Sequence, residues 1–178
     1  MPGIAIKAAM VTELQRQLNQ ELGAAHSYLA LAAWCNAQNF KGFARYLSKQ
    51  AVEERQHAQK FMQHLLDRGV LPVLTSLDAP PPDFSSLMEV ARHAQGMEQA
   101  NTAGINACYA AAVREQDYPA QVLLHWFISE QVEEEDWADE MVDRIQRANC
   151  AGGLSDLDRH IERYLTEEGA NAAKCEES

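Results

Sequence analysis

Two long stretches of the chain, residues 8–68 and 86–148, are almost free of glycine and proline, and this feature constrains the fold most. Apolar residues recur in both at every third or fourth position, the spacing that places them on one face of a helix. Each stretch is longer than an ordinary globular helix, so each must contain a break. The sequence therefore predicts an all-α chain with four long helices.

The two breaks fall at Gln38-Asn39 and at Asp117-Tyr118-Pro119, because proline suits the first turn of a helix. Between the two helix pairs, the segment GVLPVLTSLDAPPPDFSS is rich in proline and aperiodic, and it ends in a capping box at Ser86 and Glu89. When extended it reaches about 55 Å, enough to return along a helix of about 45 Å. We therefore predict a long crossover that lets helices two and three run parallel.

After the fourth helix, the pair Gly152-Gly153 predicts another break. Ser155 can cap a short fifth C-terminal helix, whose apolar face carries Leu157, Ile161 and Leu165. We expect a single domain over residues 1–166, followed by an acidic and flexible tail over residues 167–178.

The composition restricts the classes of function. The net charge is −11, with 15 Lys plus Arg against 26 Asp plus Glu, and such a chain repels nucleic acid and attracts cations. No apolar run is long enough for a membrane span and no secretory signal precedes residue 10, so we expect a cytoplasmic protein without membrane partners. The four cysteines form no CxxC pair, which argues against a zinc knuckle or a rubredoxin-type iron site.

Each of the four long helices interrupts its own apolar stripe with an acid: Glu21, Glu54, Glu98 and Glu134. The second helix adds His57, one turn after Glu54. Counted from the breaks at 1.5 Å per residue, antiparallel partners bring the acids of each pair to one level within about 5 Å. The acids should therefore converge near the middle of the bundle.

Four buried carboxylates repel each other and are costly unless they are protonated or bound to cations. Two divalent ions would balance the four negative charges. The spacing Glu54-x-x-His57 is the one that carboxylate-bridged di-iron bundles use, although it is weak evidence alone. Oxygen-rich ligation with a single imidazole favours iron or manganese over structural zinc.

In these residues the chain resembles the non-haem bacterial ferritins of the ferritin-like superfamily, over about residues 8–166. The matching stretches are Glu21 through Tyr28, AVEERQHAQ, Glu98 in GMEQANT, and ISEQVEEE. The resemblance implies a ferritin-like four-helix bundle with a di-iron centre as its cofactor. The residues that it assigns to this centre are Glu21, Glu54, His57, Glu98, Glu134, Gln131 and Tyr28.

By the same resemblance, a third iron would bind at Glu53, Glu130 and Glu133. The family implies iron storage with ferroxidase activity, in which O2 or H2O2 oxidises Fe2+ to Fe3+. It also implies a homo-oligomeric shell of twenty-four subunits with a ferric mineral inside. In animal ferritins carboxylates line a three-fold pore, but Gln121 and Leu124 stand at the matching positions here, with Glu115 and Asp117 nearby.

Rival functions remain open on the sequence. A haem-binding bacterioferritin would carry a second ExxH, but Trp137 follows Glu134 by three residues, and Arg55 stands where such a chain has methionine, so no haem is expected. A DNA-protecting miniferritin usually lacks the fifth helix and often has a basic tail. A metal-free helical scaffold or interaction module, with protonated acids, is the alternative from a different class.

Overall fold

The structure is a computed structural model that describes residues 6–148, 150 and 152–176, with only the backbone described from residue 167 onward. It contains five helices, and the described residues form no strand. The helices are α1 (Ala8–Ala37), α2 (Lys41–Asp67), α3 (Leu87–Arg114), α4 (Tyr118–Arg147) and α5 (Gly153–Glu176). The all-α class and the four long helices are confirmed.

Both predicted breaks are tight turns of one kind. Asn39 and Gln116 adopt positive φ angles of 64° and 56°, the left-handed conformation that ends many helices. In each turn a backbone N–H reaches back five residues: Phe40 to the Cys35 oxygen and Asp117 to the Ala112 oxygen, each at 2.9 Å. These hydrogen bonds satisfy carbonyl groups that the helix end would leave free.

The crossover between α2 and α3 follows the surface of α1. Asn19 donates to the Val73 oxygen at 2.9 Å and accepts from the Thr75 N–H at 2.8 Å. Gln15 accepts from the Val73 N–H at 2.9 Å. These amide contacts hold an aperiodic segment against a helix. Where the crossover meets α3, the Ser86 side chain accepts from the Glu89 N–H, and the Glu89 carboxylate accepts from the Ser85 N–H. These two hydrogen bonds cap the first turn of α3.

The contacts between helices establish their directions. Arg16 of α1 contacts Gly104 of α3, and Tyr28, further along α1, contacts Glu98, which is earlier in α3. α1 and α3 are therefore antiparallel. Since the short turn at Asn39 also makes α1 and α2 antiparallel, α2 and α3 run parallel, as the crossover predicted.

The interior consists of two apolar clusters with polar residues between them. One cluster includes Leu31, Phe43 and Leu47, and the other includes Leu14, Phe61 and Phe127. The buried polar side chains that lie between the clusters along the four helices are Gln17, Glu21, Gln50, Glu54, His57, Glu98, Asn101 and Gln131. We call this set the polar layer. The predicted convergence of acids in mid-bundle corresponds to it.

Helix α5 packs against the start of α2. The buried Asp158 carboxylate accepts from the Phe43 N–H at 2.9 Å, and Ile161 joins the first apolar cluster with Leu157 and Leu165 beside it. The predicted apolar face is thus confirmed, but the predicted cap at Ser155 is wrong, since α5 begins at Gly153. The backbone stays helical to Glu176, so the predicted domain boundary at residue 166 lies within this helix.

None of the helices in the described part of the chain combines the length and the apolar character that a membrane span requires.

Candidate metal centre

Glu21, Glu54 and His57 form the centre of the polar layer. Their exposed fractions are 0%, 0% and 4%, and each offers a ligand atom within 4.8 Å of the others. His57 Nδ1 lies 3.5 Å from Glu54 Oε2 and 4.0 Å from Glu21 Oε2. The i, i+3 spacing on α2 places the imidazole beside its own carboxylate, while α1 supplies the second one.

Amide groups hold the first two carboxylates. Gln17, one turn before Glu21 on α1, donates from Nε2 to Glu21 Oε1 at 2.7 Å. Asn101 of α3 donates from Nδ2 to Glu21 Oε2 and to Glu54 Oε2, both at 3.4 Å. These donors stabilise the carboxylates without adding a positive charge.

Glu98 lies on α3 and is fixed by residues of two other helices. The Tyr28 hydroxyl donates to Glu98 Oε1. Gln131 of α4 donates from Nε2 to the Glu98 backbone oxygen at 3.3 Å, to its Oε2 at 3.4 Å and to Thr102 Oγ1 at 3.2 Å. Tyr28 and Gln131 therefore both lie against this carboxylate.

Glu134 is the least enclosed of the four acids. It is half-buried, and its Oε2 accepts from Gln50 Nε2 of α2 at 2.6 Å. Neither Glu98 nor Glu134 belongs to the tight group of Glu21, Glu54 and His57. The Glu98 charge nevertheless raises the Glu134 pKa.

Burial and mutual repulsion raise the pKa of all four carboxyl groups. Desolvation raises the pKa of Glu21 and of Glu98, and for Glu21 the neighbouring Glu54 raises it further. Desolvation together with the charges of Glu98 and Glu134 raises the Glu54 pKa to about 8. The Glu134 pKa is raised to about 7, again first by desolvation. At neutral pH the polar layer and the adjacent Glu134 therefore resist holding four negative charges without a cation.

The donor atoms fit a metal ion. Within the described residues, Glu54 Oε1 and His57 Nδ1 are buried and have no hydrogen-bond partner. Leaving such atoms unpaired in an interior is costly, and a cation between them satisfies both. Carboxylate oxygens with one imidazole nitrogen form a set that iron and manganese accept.

Comparison with known proteins gives a family match over most of the chain. The profile of the ferritin-like domain family matches residues 11–148.

The chain belongs to the ferritin family.

Among its curated relatives, the bacterial non-heme ferritin of Escherichia coli O6:H1 is 34% identical over 163 residues, which cover 91% of this chain and 99% of the relative. That of Staphylococcus epidermidis is 36% identical over 138 residues, covering 78% of this chain and 83% of the relative. Among solved structures, an Archaeoglobus fulgidus chain described as a novel open pore ferritin is similar with a TM-score of 0.86 at 30% identity, over 89% of this chain and 98% of that one.

The acids that the sequence suggested for a third iron in this ferritin are more exposed than Glu21, Glu54 and Glu98. Glu53 and Glu130 are half-buried, and Glu133 is exposed. Glu53 pairs with Lys49 at 3.7 Å, and its charge also raises the Glu134 pKa. The assignment of a third site to these residues stays a prediction.

The positions discussed for an iron pore have other roles within the subunit. Leu124 is completely buried in the second apolar cluster, and Gln121 donates to the Ala112 oxygen at 3.1 Å. The two nearby acids are engaged in ion pairs: Asp117 with Arg68 at 2.6 Å, and Glu115 with Lys7 and Arg114 at 3.4 and 3.2 Å. Both acids therefore form ion pairs with residues of the same subunit.

Aromatic rings enclose the histidine side of the centre. The rings of Trp126 and Phe127 meet the His57 ring edge-on, with centroids 5.4 and 5.7 Å away. Trp137 stacks on Tyr46 at 3.7 Å. The Trp126 and Phe127 contacts help to keep the His57 imidazole in a water-poor environment.

The sequence interpretation missed three amides that contact the acids: Gln17, Gln50 and Asn101. The available signal was spacing: Gln50 stands four residues before Glu54 and Asn101 three residues after Glu98, so each shares a helix face with an acid. Amides are common at half-buried helix positions, however, and nothing in the local sequence indicated which groups they would meet.

Proposed function

We propose that this ferritin is a ferroxidase that stores iron: it oxidises Fe2+ to Fe3+ with O2 or H2O2 and deposits the product as a ferric mineral inside a shell of its own copies. The observation that carries the proposal is the group of Glu21, Glu54 and His57, buried together with unpaired ligand atoms. An interior of this kind is stable at neutral pH when cations neutralise it.

The ligand roles follow the resemblance and the contacts. Glu21 and His57 hold the first ferrous ion, Glu54 bridges, and Glu98 with Glu134 holds the second. Gln131 lies against Glu98 and is neutral, so it weakens the second position relative to a carboxylate. Tyr28 orients Glu98 through its hydroxyl group.

Two metal positions let two electrons leave together. Oxidation of two Fe2+ ions to two Fe3+ ions releases two electrons, which reduce O2 with two protons to H2O2, or H2O2 with two protons to two water molecules. Four carboxylates match the four positive charges of a ferrous pair. A ferric pair carries two more positive charges, so it binds hydroxide or oxide and can leave towards the mineral.

We extend the proposal to the wider assembly. A third iron binds at Glu53, Glu130 and Glu133 with Glu134 shared, and the shell contains twenty-four subunits in the cytoplasm. The crossover exposes the apolar side chains of Leu71, Val73, Leu74 and Leu77. A patch of this kind supports burial against another subunit.

The test is the replacement Glu54→Ala. Loss of the bridging carboxylate should lower the rate of Fe2+ oxidation about 100-fold or more, because even changes next to a metal ligand cost about 10–100-fold in affinity or activity. Stopped-flow absorbance after mixing anaerobic Fe2+ with aerated protein measures the rate. Asp136→Ala removes an exposed acid of α4 and serves as the matched control.

An oxidation rate in Glu54→Ala equal to that of the unmodified protein would refute the di-iron assignment. A wild-type protein that oxidises Fe2+ no faster than buffer would instead favour a metal-free scaffold.

A further inference from the structure

A hydrogen-bonded chain of side chains connects the protein surface to the two central carboxylates. Exposed Arg16 donates from Nη1 to Gln20 Oε1 at 3.0 Å. Gln20 donates from Nε2 to Asn101 Oδ1 at 3.0 Å. Asn101 then donates from Nδ2 to Glu21 Oε2 and Glu54 Oε2, both at 3.4 Å. Three side chains thus lead from solvent to the site along the contact between α1 and α3.

Two groups fix the direction of the bonds in this chain: the Arg16 guanidinium at the outer end, and the Ala100 backbone oxygen, which accepts from Gln20 Nε2 at 2.7 Å. Arginine has only donors, so it requires the oxygen of the Gln20 amide and leaves the Gln20 NH2 group to face Asn101. That NH2 group in turn requires the Asn101 oxygen. The Asn101 NH2 group is therefore directed at the carboxylates, and its carbonyl oxygen is directed away from them.

The backbone leaves room for this arrangement at Gly104. A Cβ atom at that position would lie 2.1 Å from Gln17 Oε1 and 3.0 Å from Gln20 Oε1. Arg16 also donates to the Gly104 backbone oxygen at 2.9 Å, which fixes the guanidinium over the same turn of α3. Both glutamines that lead to the carboxylates thus depend on the missing side chain.

We infer that Asn101 is a positioning residue of the proposed metal centre, held by Arg16 and Gln20 so that it donates to Glu21 and Glu54 and does not ligate metal itself. The inference rests on the proposed function. Two hydrogens of one amide group bridge Glu21 Oε2 and Glu54 Oε2, which fixes the rotation of both carboxylates. Glu54 Oε1 is thereby left without a partner in the described residues and remains available to a cation.

A reversed Asn101 amide would present its oxygen to two carboxylate oxygens. That orientation replaces two hydrogen bonds with repulsion and changes the donor set that a metal meets. The donor and acceptor direction of these hydrogen bonds is therefore as important for the site as the bonds themselves. Hydrogen bonds of this type to ligating carboxylates are what fixes ligand geometry in metal sites.

The experiment is an anaerobic titration of the full-length protein with Co2+, followed by its visible absorption bands, which report both affinity and coordination geometry. Asn101→Leu has a similar size and removes the donor, and Gln20→Leu removes the residue that orients it. The double variant completes the cycle, and Asn106→Leu, an exposed position on α3, is the control.

We expect Asn101→Leu to weaken Co2+ binding about 10–100-fold and to change the absorption bands. Gln20→Leu should also weaken binding, but it should have no further effect in the Asn101→Leu background, because Gln20 acts through Asn101. Binding within twofold of wild type in Asn101→Leu, or additive losses in the double variant, would overturn the inference. Failure of the wild-type protein to bind Co2+ would refute the proposed metal centre instead.

Discussion

Folding raises the pKa of the buried carboxyl groups of Glu21, Glu54 and Glu98 and of the half-buried Glu134. Glu21 and Glu54 have no exposed surface, and both have raised pKa values. The unfolded chain would leave the same groups in water with ordinary pKa values near 4.5. The difference between these two states links metal binding, proton binding and stability in one site.

This linkage predicts the pH dependence of the metal-free protein. A carboxyl group whose pKa is raised by folding binds its proton more tightly in the folded state. Its contribution to stability is complete below its ordinary pKa and is lost as the pH rises through the folded pKa. With the Glu54 pKa at about 8 and the Glu134 pKa at about 7, the free energy of unfolding should fall between pH 5 and pH 9. Each pKa unit corresponds to about 1.4 kcal/mol.

Thermal melting of the metal-free protein across this range measures the effect. Glu54→Gln keeps the shape of the side chain but cannot ionise, so its melting temperature should fall less than that of wild type. Saturating Co2+ at pH 8 should raise the wild-type melting temperature because it binds the folded state. A melting temperature that increases from pH 6 to pH 8.5 without metal would contradict the assigned direction.

At the scale of the helices, local signals determine where a helix begins, and distant contacts attach it to its neighbours. The turn at Asp117 shows the combination: its carboxylate accepts from the Ala120 N–H at 3.1 Å and so caps α4. The same carboxylate pairs with Arg68 at the end of α2. One residue thus begins a helix and attaches it to another, which explains why this acid is buried although it lies in a turn.

Helix α5 depends on close approach at Gly42. A Cβ atom there would lie 2.1 Å from the backbone oxygen of Asp158, and backbone cannot move aside as a side chain can. Gly42→Ala should therefore displace α5 and break the bond from the Phe43 N–H to Asp158. We expect faster amide hydrogen exchange throughout α5, measured by mass spectrometry.

Gly23→Ala is the matched control, since a Cβ atom at that helical glycine meets nothing within 4 Å. It should stabilise α1 by about 0.5–1 kcal/mol, because alanine loses less backbone entropy than glycine in a helix. Unchanged exchange of α5 in Gly42→Ala would show that the helix tolerates the displacement.

At the scale of the whole molecule, the crossover presents exposed apolar side chains that a second subunit would cover. Leu71 is 82% exposed and Leu74 is 57% exposed, on a segment that Asn19 and Gln15 hold firmly against α1. A rigid apolar surface is suited to a permanent contact between subunits.

We predict that native mass spectrometry of the unmodified protein shows a particle of twenty-four chains. The double change Leu71→Glu with Leu74→Glu places charges on the crossover and should shift the population to smaller species. The helical circular dichroism should remain unchanged, because neither side chain packs in the interior. Complete assembly of this variant would show that the crossover is not part of the interface.

The helices and the acids of the site were accessible from the sequence because both depend on local order along the chain. Apolar spacing, the low content of glycine and proline, and the proline at the start of α4 act within one or two turns. Glu21, Glu54, Glu98 and His57 stood out because each interrupts an apolar stripe. Because burying an ionisable group is costly, such a group at an apolar position of the pattern can be recognised from the sequence alone.

Only the tertiary structure decided which groups those acids meet. The amide of Asn101 faces Glu21 and Glu54 because Arg16 and Gln20 approach it from another helix, about eighty residues away in the chain. The half-buried state of Glu134 and the contact of α5 with Gly42 likewise arise where distant segments touch. Periodicity along a helix specifies which face is buried, whereas the partner of a polar atom depends on how the helices pack together.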